Sequence, residues 1–420
     1  MRNIALSMLA MVICACFYQL KRQDVQLRGI TWVVYLCALG FSLETFFSRV
    51  ITTVRDFSVW DFVPFYLYGK VGAAALNFYL PANFHSVFDT LSLPAMSDKS
   101  FPREILDVGF LYPPPTILLF SPLGFLPYHT ALILWTVVNI AFALGCVYLL
   151  YALFLRKYGA NGLILAAALF LLLSPVRQTV SFSQTNFILL FLLLQLRKHG
   201  TEAKAGALLA AGVFVKPFMI VFGLALVLRR QWKALAYFCG CELVLVGATL
   251  ALFGKAPFVS YVFDNPAKRL PSWAFIENVN QSLQAVLLRA HVAVLAEPSI
   301  YVLLSVVLLI ACMGFVWWLV SQKLYDCMWA VLALTGLILY PGTLSHYGVL
   351  LAFILFQFFD EQNELGFPMY VTIALVGGFY YLTSVSLFAS LCLLFLVVIW
   401  RARQHSTLKY HTTPSEVAVA

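Results

Sequence analysis

From Ser299 to Val320 the chain runs for the width of a bilayer without one charged residue. At about 1.5 Å per residue, such a run crosses roughly 30 Å of hydrocarbon only as a helix, which satisfies its own backbone polar groups. Comparable apolar runs occupy residues 3–20, 29–51, 128–155, 234–253, 327–344, 347–359, 367–381 and 384–400. Two more, 163–173 and 185–196, are too short to cross upright and suggest oblique helices around a cavity. Hydrophobic residues make up 62% of the 420 and charged residues 11%, a balance that no soluble domain of this size carries. The chain reads as an all-α polytopic membrane protein with about 11–13 transmembrane helices.

The net charge of +9 does not point to nucleic acid, because the basic residues lie in short clusters between apolar runs. These are Lys21, Arg22 and Arg28; Arg156 and Lys157; Arg197, Lys198 and Lys204; Arg229, Arg230 and Lys233; and Arg401, Arg403 and Lys409. The positive-inside asymmetry makes them cytoplasmic ends. It leaves residues 52–127, 174–184, 254–298 and the turn at His346 on the external side. Residues 401–420 read as a disordered cytoplasmic tail. The cysteines nearly all fall in apolar runs and read as small core residues; Cys239 and Cys241 have no histidine nearby and make no metal site. Residues 3–20 follow Arg2 alone and lack a small-residue cleavage site before Lys21, so they read as a retained helix and not as a cleaved signal peptide. No internal repeat is visible, which counts against an inverted-repeat transporter.

Residues 205–228 are cut in two by Lys216-Pro217. Neither half, at roughly 16 Å, spans the bilayer. A hairpin that dips in and returns keeps both flanking basic clusters cytoplasmic, whereas one straight span would export Arg229, Arg230 and Lys233. Lys216 then lies at depth, where an unpaired lysine costs about 2.5–3.5 kcal/mol and calls for an anion. That anion is either Glu44 or Glu242, in a structural ion pair, or a lipid-linked phosphate.

The two long external loops, 52–127 and 254–298, are rich in aromatic residues, Pro, Asn and Asp. Loops of that length usually carry function. In the first, Asp56 and Asp61 stand near the membrane edge, ahead of Tyr66, Tyr68 and Lys70. Either aspartate could be a helix N-cap or a solvated charge, or a base for a substrate held at the lipid surface. The Phe and Tyr content of 57–79 suggests an amphipathic helix along the interface. Tyr112-Pro113-Pro114-Pro115 suggests a rigid, extended return to the membrane. Asn280-Gln281-Ser282 also fits an N-glycosylation acceptor, which matters only in a eukaryotic secretory setting.

Taken in order, Trp60-Asp61-Phe62 with Tyr66 and Lys70, Tyr112-Pro113-Pro114 with Pro122-Leu123 and Leu126-Pro127, Trp135 and Asn139, Gln184-Thr185-Asn186, Lys216-Pro217, Asn280-Gln281-Ser282 with Arg289, and Ser345-His346-Tyr347 resemble the polyprenol-phosphate-sugar-dependent glycosyltransferases of family 87, in the GT-C class. The resemblance covers residues 60–347. It sets residues 1–28 apart as an added N-terminal helix and basic loop, and makes 29–400 a GT-C-like catalytic domain. Residues 340–344 depart from the family's usual approach to the histidine.

The resemblance implies an inverting enzyme at the external face of a membrane, by expectation the bacterial plasma membrane. It would move a hexose, mannose foremost, or alternatively a pentose such as arabinose, from a polyprenyl-phosphate donor to a hydroxyl of a glycan, glycolipid or protein. In that scheme Asp61 is the general base. Lys216, Arg289 and His346 hold phosphate or orient sugar, and Gln184, Asn186, Asn280, Gln281 and Tyr112 contact the donor. With no Asp-x-Asp or glycine-rich phosphate loop in the sequence, neither metal nor cofactor is expected. Outside that class, a polytopic transporter or flippase of lipid-linked sugar shares the hydrophobicity and a buried lysine, without needing the external carboxylate.

Overall fold

The computed structural model describes residues 9, 12–13, 29–56, 61–91, 104–200, 202–264, 273–360 and 386–411. The expected helix over 3–20 falls almost wholly outside the described residues. Trp60, the expected helix over 367–381 and the end of the tail from 412 also fall outside them. Among the described residues there is no strand; Asn280 and Leu344 form an isolated antiparallel bridge. The all-α membrane fold is found as expected, and three helical stretches, Tyr128–Leu172, Trp232–Phe253 and Ser299–Ser321, are long and apolar enough to cross a bilayer.

In chain order the main helices begin with α1 (Gly29–Asp56), α2 (Phe62–Ala73), α3 (Pro81–Thr90), α4 (Ile117–Gly124), α5 (Tyr128–Leu150) and α6 (Gly159–Leu172). They continue with α7 (Ser174–Ser181), α8 (Asn186–Lys198), α9 (Lys204–Val215), α10 (Gly223–Leu228), α11 (Trp232–Phe253) and α12 (Ala256–Asp264). The last are α13 (Leu283–Arg289), α14 (Pro298–Ser321), α15 (Tyr325–Leu339), α16 (Ala352–Asp360) and α17 (Ser386–His411).

Contacts between α5 and α8 fix a direction. Trp135 bonds Ser183 just ahead of α8, Gly145 faces the Phe191 ring, and Arg197 lies over the Phe154 ring just past α5. The numbers rise together, so the two helices run parallel. α15 runs the other way, with Asp326 at its start paired to Arg197 at 2.7 Å and Tyr340 beyond its end against Phe218. One end of the bundle therefore collects Arg197, Asp326 and Arg229, the last stacked over Tyr325. The opposite end collects Ser183, Gln184, Phe218 and Tyr340.

Between α9 and α10 the chain reverses. Gly212 lies against Met219 and Leu209 against Gly223, pairings that close on Lys216 from both sides. Lys216 itself is extended (φ −150°, ψ 126°), as the residue before a proline must be, and Pro217 opens a 3-10 turn over Pro217–Phe222. At the base of this hairpin a Cβ on Gly206 would meet the Ala234 carbonyl at 1.8 Å, so α9 and the start of α11 touch backbone to backbone. Both ends of the hairpin thus sit beside the first turns of α11.

Two local expectations are corrected. α2 is not an amphipathic interfacial helix: Phe62, Val63, Phe65, Tyr66, Leu67, Tyr68 and Val71 are all buried, so apolar residues cover its circumference. α3, with only Phe84 and Phe88 buried on one face, is the amphipathic helix of that region. The proline run is extended only at Pro113 (φ −55°, ψ 151°). Pro114 and Pro115 start a 3-10 turn over Pro114–Thr116, where their missing N–H groups forfeit no hydrogen bond. α2 packs on α4 at two glycines: a Cβ on Gly124 would lie 2.0 Å from the Gly69 carbonyl oxygen. Phe65 stacks on Phe120 at 4.7 Å beside this crossing. A third expectation is corrected as well: residues 401–411 of the tail, read as disordered, are helical, because α17 continues past Trp400 to His411 with Arg401 buried.

Candidate active site

Asp61 stands at the N-cap position of α2, where a carboxylate ordinarily accepts the helix's free N–H groups. Its side chain makes no such bond. Oδ2 accepts the Gln184 Nε2–H at 2.8 Å instead, and among the described residues no other group bonds the carboxylate. Part of Asp61 remains exposed. Desolvation raises its pKa from 3.8 to about 6, against the Gln184 hydrogen bond and the Lys216 charge, which both pull it down.

Gln184 reaches Asp61 because α7 ends in a tight turn. Ser183 adopts a left-handed conformation (φ 50°), and the Gln184 N–H returns to the Thr179 carbonyl at 3.0 Å. The Trp135 indole N–H donates to the Ser183 carbonyl at 2.6 Å. The external loop expected over 174–184 is thus a buried helix and its capping turn.

Lys216, 2% exposed, occupies the hairpin tip. Its ammonium donates to the Tyr347 hydroxyl and lies 4.0 Å from the Tyr347 ring centre and 6.0 Å from that of Tyr112. Two electron-rich rings partly replace lost hydration. The structural ion pairs considered for Lys216 do not form. Glu44 is exposed and accepts from Thr45, Glu242 Oε1 is buried with no described partner, and Asp61 is the carboxylate whose charge reaches Lys216.

His346 follows a chain reversal at Tyr340-Pro341-Gly342, in the 3-10 turn Ser345–Leu351. Its ring meets Tyr347 at 5.0 Å and Phe182 at 5.7 Å, it is 2% exposed, and Nε2 has no described partner. The Lys216 charge acts on it as well. Asp61, Gln184, Lys216, Tyr112 and His346 therefore form one constellation at one end of the bundle.

The remaining candidates have other partners. Asn186, fully buried at the start of α8, donates to Thr179 Oγ1 at 3.3 Å, and its Oδ1 has no described partner. Asn280 donates to the carbonyls of Ala274 (2.9 Å) and Pro341 (3.0 Å) and accepts from Ser282 N–H. Gln281 donates to the Asn278 carbonyl at 2.6 Å and accepts from Phe388 N–H. With the pairs Gln281 N–Thr343 O and Ser345 N–Val279 O, they fasten the second external segment to the turn that carries His346. Arg289 holds the Glu277 carbonyl at 2.9 Å, next to the short helix Trp273–Ile276. The two amides are engaged in shaping the wall, whereas Arg289 bonds through Nη1 alone and its buried Nε and Nη2 have no described partner.

Residues outside the sequence-derived set complete the site. Tyr68 lies two turns along α2 from Asp61, on the same face by helical spacing. Burial raises the phenols of Tyr68 and Tyr112 above the ordinary range, with the Asp61 charge adding to it, so both remain protonated donors. Tyr347 stood beside His346 in the sequence, but nothing local marked it as the partner of Lys216. Among the described residues no group of three or more His, Cys, Asp or Glu side chains could hold a metal ion.

Residues 110–344, more than half of the chain, match the sequence profile of glycosyltransferase family 87. The chain belongs to that family. Similar curated proteins include the alpha-(1->3)-arabinofuranosyltransferases of Mycobacterium tuberculosis strains CDC 1551 and H37Rv, 30% identical over 141 residues. The match covers 31% of this chain and 32% of each relative, so the chain spans about a third of the curated relatives' length. No solved structure matches it. The matched family region takes in Tyr112, Gln184, Lys216 and Arg289 and ends two residues short of His346; Asp61 lies before it.

Proposed function

We propose that this family member is an inverting glycosyltransferase that takes a sugar from a polyprenyl-phosphate donor at the external face of the membrane, with Asp61 as general base. The observation that carries the reading is the Asp61 carboxylate itself. It is partly exposed, its pKa lies at about 6, one oxygen is fixed by Gln184, and it sits in the field of a buried lysine. A base in that range is ionised at neutral pH and can take an acceptor's proton as the hydroxyl attacks the anomeric carbon. The departing lipid phosphate needs positive charge and donors, which Lys216, His346 and the protonated Tyr112 supply. Gln184 and Asn186 orient the sugar and the base; Asn280, Gln281 and Arg289 shape the wall around them. Residues 29–400 form the catalytic domain.

The external placement is supported by charge. Arg197 and Arg229 cluster at the end of the bundle opposite Gln184 and Tyr340, and positive ends stay cytoplasmic. The donor sugar is a hexose, mannose first. The arabinofuranosyltransferase relatives favour a pentofuranose as the second reading. The acceptor is a glycan, glycolipid or protein hydroxyl.

The test is Asp61→Asn in purified enzyme in detergent, assayed with polyprenyl-phosphate-linked mannose and arabinofuranose and read by product mass. Transfer should fall by about 100-fold or more with donor binding retained. Unchanged turnover would remove Asp61 as base, and substrate flux into sealed vesicles without a covalent product would replace the transferase with a transporter.

A further inference from the structure

Trp135 touches the segments that carry both halves of the Asp61–Gln184 pair. Its ring packs at 6.1 Å against Phe65, on the helix that carries Asp61, and at 6.1 Å against Phe120 of α4 beneath it. Its indole N–H donates to the Ser183 carbonyl at 2.6 Å, the residue directly before Gln184. Ser183 is a non-glycine residue at φ 50°, a conformation that surrounding contacts must hold. The Ser183 N–H returns to Val180 and the Gln184 N–H to Thr179, which leaves the Ser183 carbonyl to be anchored from outside the turn. Trp135 is 4% exposed and Ser183 3%, so water does not substitute readily for the indole.

We propose that Trp135 is a positioning residue: its indole N–H holds the left-handed turn at Ser183 and so delivers the Gln184 amide to Asp61. It acts through Gln184 and touches neither substrate nor the reacting atoms. The inference rests on the reading of Asp61 as base.

The experiment is the pH dependence of kcat/KM for wild type, Trp135→Phe, Gln184→Leu and the double variant. Gln184 donation lowers the Asp61 pKa, so its loss moves the acidic limb to higher pH, by about half a unit to one unit for one hydrogen bond. Trp135→Phe, which keeps a ring but loses the N–H, should move the limb in the same direction with the donor KM within about twofold of wild type. The double variant should show no larger shift than Gln184→Leu alone. If Trp135→Phe does not fold, β-(3-benzothienyl)alanine at position 135, which keeps the bicyclic shape without the N–H, makes the same comparison. A limb that stays in place in the folded Trp135 variant while Gln184→Leu moves it overturns the inference and leaves the base intact. Full turnover by Asp61→Asn overturns the base itself.

Discussion

The Lys216 ammonium lies against Tyr347, bonded to its hydroxyl and 4.0 Å from its ring centre, where the tip of one hairpin meets the 3-10 turn that follows Tyr340-Pro341-Gly342. A buried cation held this way is fixed in place yet, among the described residues, has no carboxylate in direct contact, which leaves its charge free to act on an arriving phosphate.

Replacing Lys216 by Met should therefore lower kcat/KM for a polyprenyl-phosphate donor by about 100-fold, with a higher donor KM. Tyr347→Phe, which keeps the ring and removes only the acceptor hydroxyl, should cost about tenfold or less. Steady-state kinetics with varied donor measure both. Equal losses in the two variants would contradict a charge-based role for Lys216.

The pH dependence has a definite sign. Catalysis by the ionised Asp61 should fall as pH drops through about 6. Stability should respond in the opposite direction. Because folding raises this pKa from 3.8 to about 6, the group favours the folded state fully below pH 3.8 and loses that contribution as pH rises through 6. Asp61→Asn should thus be about 100-fold or more less active yet more stable at pH 7.5, by about 2 kcal/mol, with the gain gone near pH 4. Thermal unfolding in detergent at the two pH values decides this.

The crossing of α2 and α4 leaves no room for a side chain. Gly124→Ala places a Cβ 2.0 Å from the Gly69 carbonyl oxygen, so the helices must part. A loss of about 3 kcal/mol or failure to fold is expected, with activity lost because α2 carries Asp61. Gly314→Ala, where nothing lies within 4 Å, should change stability by no more than about 1 kcal/mol. The unfolding temperatures of the two variants provide the comparison.

The reversal at Lys216 makes a topological prediction. Single cysteines replacing Glu202 and Arg230, in a background without native cysteines, should be labelled from the same side of sealed vesicles. A cysteine replacing Lys255, beyond the far end of α11, should be labelled from the other side. Labelling of Glu202→Cys and Arg230→Cys from opposite sides would mean that the chain passes straight through.

The sequence by itself determined the fold class, the break at Lys216-Pro217 and the chemical types in the site. Each of these is local: run length decides whether a helix can cross, proline denies a backbone N–H and forces its predecessor to extend, and a lone carboxylate or lysine in apolar surroundings announces itself. Only the tertiary structure decided the partnerships. Gln184 and Asp61 are 123 residues apart, and nothing in either neighbourhood distinguishes their bond from the helix cap that Asp61 does not form. Asn280 and Gln281 carried the same hydrogen-bonding capacity in sequence as Gln184, yet folding engages them with backbone carbonyls of the wall. The same limit governs α2, whose aromatic residues fit an interfacial helix until α4 and Trp135 close over it. Desolvation and hydrogen-bond partners are supplied by distant segments, so they exist only once the chain has brought those segments together.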